Sequence, residues 1–343
     1  LLLFLKLKLR KTGLAVVKLE PIVKPGLTNV PQNAPSNLLM NLPWIQTLCT
    51  WVLATSLVVT PLQSAPSRTL TADVATGTPV FAVRSQQPIP ESKGLTALSG
   101  ADVVYLGETH NQPADHALQL DLLQRLYQQR PHIVLAMEMF QRPAQPLLDR
   151  YVSGAITATE LRDRSEYDRR WGYDWEFYAP MLRFARAHQL PVIALNTPTE
   201  VTRKVAKYGL ERLAGSDRRF IPPAVTIDLS SVSYRQRLQA IYREFHQGES
   251  NAAGFERFFQ AQVLWDETMA ERIAQVAQAE AASLVVVLVG QGHLLYGDGI
   301  PQRVAHRVPT VKQISVLLNP SAELRGERAI ADYLWDSPDR PEP

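Results

Sequence analysis

Asp102-Val103-Val104-Tyr105-Leu106-Gly107-Glu108-Thr109-His110 decides the fold. The apolar run Val103 to Leu106 is too short for a helix and reads as a strand buried on both faces. It stops at Gly107, and Glu108, Thr109 and His110 follow before a helix pattern begins. In open parallel sheets, ligands bind just past the carboxyl ends of strands, so this exit is where chemistry is expected. The same pattern recurs near the other end of the chain. Leu284 to Val289 is a second apolar run, and it ends in Gly290-Gln291-Gly292-His293. Both strands finish in Gly-x-x-His.

Working outward, a helix is expected over residues 114–129, with Leu118, Leu122 and Leu126 on one side. Residues 132–137 read as the next strand, with Glu138 at its exit, and residues 191–195 as another, leaving at Asn196. Residues 313–318 read as the last strand. Strands alternating with helices predict an α/β fold, a mostly parallel central sheet flanked by helices. The stretch from about 199 to 280 is helical throughout and predicts an inserted helical subdomain. The α/β domain is expected over 95–320, preceded by a linker at 66–94 that carries a short strand at 80–83, and followed by a C-terminal tail at 321–343.

Residues 1–65 read as a leader. Their apolar run at 48–59, followed by Pro61 and Ser64-Ala65, predicts a signal-like or membrane-tethering segment. An exported, periplasmic or membrane-associated protein is the expectation. The leader also carries the chain's positive charge. It holds six basic residues and one acidic; removing them from 36 and 33 leaves 30 and 32. A body of slightly negative charge has no electrostatic footprint for nucleic acid. Cys49 is the only cysteine, so the body has no disulfide, thiol nucleophile or Cys-ligated metal.

The strand exits bring Glu108, His110, Glu138, Asn196 and His293 to one edge. Carboxylates and imidazoles placed together can ligate a divalent metal, with His110, Glu138 and His293 as the donor set. They can act as acid and base, with Glu108, His110, Glu138 and His293 as the catalytic group. They can also line a cofactor pocket. Gly107, Gly290 and Gly292 are expected to permit positive φ and close backbone approach, aiming each His over the edge. His116 and Asp115 read as a solvated helix start. The aromatic run at 167–178, which includes Trp171 and Trp175, either stacks on a flat apolar ligand or packs the helical subdomain.

With these residues in hand, the chain resembles the ChaN family of haem-binding, iron-regulated proteins, within the TIKI, TraB and erythromycin-esterase-like superfamily. The resemblance rests on Leu106-Gly107-Glu108-Thr109-His110 with His116, on Ala136-Met137-Glu138-Met139-Phe140, and on Pro191 to Asn196. It rests further on Trp265-Asp266-Glu267-Thr268-Met269-Ala270, and on Gly290 to His293 with Tyr296-Gly297-Asp298-Gly299-Ile300-Pro301. It implies a cell-envelope protein of haem or iron uptake. It also implies haem near a homodimer interface and iron held by a tyrosine, which falls here on Tyr296. His110, His293 and Trp175 join Tyr296 as cofactor-binding candidates. The competing expectation is a metal-dependent hydrolase, a peptidase or esterase, working through the paired Gly-x-x-His site.

Overall fold

The computed structural model describes residues 4–9, 15–20, 80–245 and 251–338. Strands β1 (Phe4–Leu9) and β2 (Ala15–Glu20) pair antiparallel, where the sequence offers only a Leu/Lys alternation. The apolar run at 48–59 lies outside the described residues.

The remaining eight strands form one sheet. β3 (Val80–Ala82) and β4 (Gln87–Ile89) precede helix α1 (Glu91–Ser99). β5 (Val103–Glu108) leads into α2 (Pro113–Gln129), and β6 (Ile133–Gln141) into α3 (Gln145–Val152). Three helices follow: α4 (Ala158–Arg164), α5 (Tyr167–Arg170) and α6 (Ala179–Ala187). β7 (Val192–Asn196) is followed by α7 (Thr199–Tyr208), α8 (Val232–Phe245) and α9 (Ala252–Ala279). The chain ends with β8 (Leu284–Gly290), α10 (Ile300–Arg307), β9 (Gln313–Leu318), α11 (Ala322–Arg325) and β10 (Tyr333–Trp335).

The strand order is β4-β3-β10-β9-β5-β8-β6-β7. From β10 to β7 all neighbours are parallel, and β3 and β4 add antiparallel pairs at one edge. The fold is therefore the expected α/β architecture, with a mostly parallel sheet between helices. β5, β8 and β6 lie side by side, with Glu108 opposite Gly290 and Met137 opposite Leu288. That order puts both Gly-x-x-His exits and Glu138 on adjacent strands.

Every residue of β5, β6 and β8 is buried, because helices cover both faces. Side chains alternate between the faces. Val104, Leu106, Met137, Val286 and Leu288 meet α1, α2, α3 and α6 on the first face. Val103, Tyr105, Ala136, Val285 and Val287 meet α9 and α10 on the second. Each fully buried aliphatic side chain contributes roughly 1.5–3 kcal/mol over leaving it in water.

Three boundaries differ from the sequence reading. The expected linker forms its strand as β3 and also supplies β4 and the start of α1. The expected tail supplies β10, whose Trp335 is completely buried against α1, where a methyl on Gly94 would lie 3.0 Å from the indole. The helical block also divides. The first half of α9 packs with α7 and α8 in two small clusters around Phe259 and Leu264. From Met269 onward the same helix lies on the sheet.

Candidate functional site

Glu108 continues the row of Val104 and Leu106, so it faces α2 and α6. It is buried at the end of β5. Nδ1 of His110 donates to its Oε1 at 2.8 Å, and the hydroxyl of Tyr178 donates to the same oxygen at 2.5 Å. His116 Nδ1 stands 3.4 Å from Oε2. Burial opposes ionisation of Glu108, but the bonds and positive charge of the two imidazoles prevail and hold its carboxyl far below the ordinary range.

His116 is buried, contrary to the solvated helix start expected for it. Its Nδ1 donates to Gln119 Oε1 at 3.2 Å and its Nε2 to the carbonyl of His110 at 3.1 Å. Its ring stacks on Phe177 at 4.6 Å. Burial pulls its pKa down, and Glu108 more than reverses this. Asp115 is also buried, accepting from the Thr109 backbone N–H at 2.7 Å and from Asn319 Nδ2 at 2.8 Å. These bonds pin the turn that carries His110.

Glu138 continues the row of Val134 and Ala136 and serves the other face. Its Oε2 accepts from the Gly290 N–H at 2.7 Å, and its Oε1 lies 3.4 Å from His293 Nε2. The other nitrogen of His293, Nδ1, donates to Asp266 of α9 at 2.5 Å. Asp266 in turn accepts a hydrogen bond from the Tyr234 hydroxyl. Burial disfavours the charged imidazole, but two carboxylates, Glu138 and Asp266, raise its pKa to about 10. Glu138 is lowered: burial opposes its charge, and His293 prevails.

Gly290 joins the two networks. A methyl on it would stand 2.7 Å from His110 Cε1 and 3.5 Å from Glu138 Oε2. None of Gly107, Gly290 and Gly292 has the expected positive φ. At Gly290 and Gly107 the role is space, since a methyl on Gly107 would also collide with Leu294 at 2.7 Å. The left-handed backbone falls instead on Tyr296 and Gly297, with φ of 58° and 69°.

The strand exits thus bring Glu108, His110, Glu138 and His293 together. His110 is the most accessible of the four, with 17% of its side chain exposed. Its ring stands edge-on to Trp171 at 4.9 Å and tilted to Tyr173 at 5.0 Å. The expected metal set His110, Glu138 and His293 does not close into a cage. Nδ1 of His293 is taken by Asp266, and its Nε2 faces Glu138. Among the described residues, no group of three or more His, Cys, Asp or Glu is spaced to hold one. Trp175 does not join the site: it is buried, edge-on to Tyr167 at 4.9 Å, within the first-face core. Asn196 serves as a strut. Its Nδ2 donates to the Glu138 carbonyl at 2.9 Å, and its Oδ1 accepts from the Trp265 indole.

Tyr178 and Asp266 escaped the sequence reading as site residues. Asp266 carries a signal, an acid in the middle of a mostly apolar helix. Tyr178 carries none, being one ring in an aromatic run.

Residues 95–304 match the family described as haem-binding uptake, Tiki superfamily, ChaN. The chain belongs to this family. It is also similar to ChaN of Campylobacter jejuni, whose solved structure shows cofacial haem binding. The TM-score is 0.58 at 20% identity, over 75% of this chain and 95% of that one. An erythromycin esterase, EreC, aligns at a TM-score of 0.40 and 13% identity, over 74% of this chain and 81% of its own. Protein RETICULATA-RELATED 5, chloroplastic, of Arabidopsis thaliana is 30% identical over 260 residues, or 71% of this chain. The chain spans only 35% of the length of that relative.

Within the ChaN-family chain, Tyr296 lies beside the site, linked to it through cations. The Arg237 guanidinium sits over the Tyr296 ring at 5.1 Å and over Tyr234 at 5.3 Å, and Tyr234 reaches Asp266. Burial, then the charge of Glu327 and a hydrogen bond to it, raise the Tyr296 phenol to about 12. Arg237 Nη1 donates to Asp298 at 2.6 Å, while its buried Nη2 has no hydrogen-bond partner among the described residues.

Proposed function

We propose that this protein binds haem, with the Tyr296 phenolate holding the iron. The orphaned Nη2 of Arg237 carries the reading. A buried guanidinium N–H without an acceptor is costly, and a haem propionate would supply one beside the phenol. Glu327 is placed to take the phenolic proton as iron binds. Tyrosinate is an established haem ligand, and a phenolate suits ferric iron. Haemin titrated into the protein should give a saturable Soret shift, and Tyr296→Phe should change its position or abolish it. A linear, unsaturable response would end this reading.

The reading extends to haem or iron acquisition by a homodimer. The apolar run at 48–59 supports delivery to a cell envelope, as an exported, periplasmic or membrane-associated protein. The name of the Arabidopsis relative adds a plastid as a destination. No helix among the described residues is long and apolar enough to cross a membrane. Fractionation of cells expressing the full chain tests location, and sedimentation with and without haemin tests the dimer.

A second reading rests on the orientation of His110 by Glu108. An imidazole oriented by a carboxylate, with 17% of its side chain exposed, is the kind of group that serves as base when water attacks an ester or peptide carbonyl. Hydrolysis that survives a chelator and disappears in His110→Ala would support it; no turnover of ester or peptide substrates would remove it.

A further inference from the structure

A cavity of about 480 Å³ opens at the carboxyl end of β7, between α7 and α9. It falls within the roughly 300–1,000 Å³ range of small-molecule sites. Its sides are apolar, formed by Ala206, Phe258 and Trp265. Its rim carries two exposed cations one turn apart on α7, Arg203 and Lys207. Its floor carries Thr197, which is 2% exposed and whose hydroxyl has no hydrogen-bond partner among the described residues.

We infer that this cavity binds an apolar carboxylate bearing a hydroxyl or carbonyl at its far end. Each part of the ligand answers one part of the wall. The cationic rim takes the carboxylate, the aromatic and methyl sides take the body, and the Thr197 hydroxyl takes the distal polar group. A buried hydroxyl left unpaired costs free energy that such a ligand would recover. The site stands apart from Tyr296 and does not depend on the haem reading. Its back wall is the Trp265–Asn196 pair, and Trp265 lies edge-on to His293 at 5.8 Å. An occupant would therefore press on the carboxylate–imidazole centre from behind.

Isothermal titration of the full chain with ω-hydroxydecanoate, decanoate and decanol tests the inference. Saturable binding is expected in that order of affinity. Thr197→Val should weaken ω-hydroxydecanoate about three- to tenfold and leave decanoate unchanged. Arg203→Glu combined with Lys207→Glu should weaken both acids by at least about tenfold. Ala206→Trp, a change at an exposed rim position, should block both acids while haemin binding stays as in the parent. Equal affinity for decanol and decanoate, or acid binding indifferent to Ala206→Trp, would overturn the proposal. Loss of haemin together with the acids in Ala206→Trp would also overturn it, by making the cavity the porphyrin's.

Discussion

His110 and Gly290 touch across the β5–β8 pair, the imidazole filling the space that any larger residue at 290 would need. Gly290→Ala must move His110 or bend β8. Overpacking of this kind costs about 1–3 kcal/mol. Urea unfolding should show that loss, and the His110 ring signals should shift. Unchanged stability with an unmoved ring would contradict the contact.

Tyr178 and His110 both donate to one oxygen of Glu108, which is buried. Tyr178→Phe removes a hydrogen bond to a buried charge and should destabilise the fold by about 1.5–3 kcal/mol. The difference from the parent should shrink in acid, as Glu108 becomes protonated. A cost near zero at neutral pH would show that the phenol is dispensable.

The pH dependence of folding has two ends. His293 has its pKa raised from 6.5 to about 10, so its contribution is complete below 6.5 and disappears as pH climbs through about 10. Glu108 and Glu138 are held below 4.5, so theirs is present above 4.5 and lost as pH falls. From pH 7 to 10 the parent should lose more stability than His293→Gln. In the folded protein the His293 ring should show no titration near 6.5; a midpoint there would refute the ion-pair sandwich.

Trp335→Ala should cost about 3–5 kcal/mol, the usual range for emptying a large buried aromatic site. Tyr208→Ala, at an aromatic residue 50% exposed, should stay within about 0.5 kcal/mol. Thermal unfolding of the two side by side distinguishes a structural C-terminal strand from an appended tail.

Much of this architecture can be read from residues 95–318. β5 to β9 are legible because parallel strands covered on both faces are unbroken apolar runs bounded by Gly or Pro. Glu108, His110, Glu138 and His293 are legible for a related reason: each is a polar group at or just beyond the exit of such a run. β4 and β10 are not, because strands of only three residues leave no periodicity. Pro113-Ala114-Asp115-His116 has the composition of a solvated first turn, and only tertiary packing buries its Asp115 and His116. Trp175 and Trp171 are alike in sequence and both pack the first-face core, yet it is Trp171 that reaches His110. Nothing in a run of aromatics says which ring turns which way.

Glu108 is neutralised on one side of the sheet and Glu138 on the other, with Gly290 between them. His110 couples them, because its charge favours the ionised form of both carboxylates. A change to either group is therefore felt by its counterpart across the shared glycine.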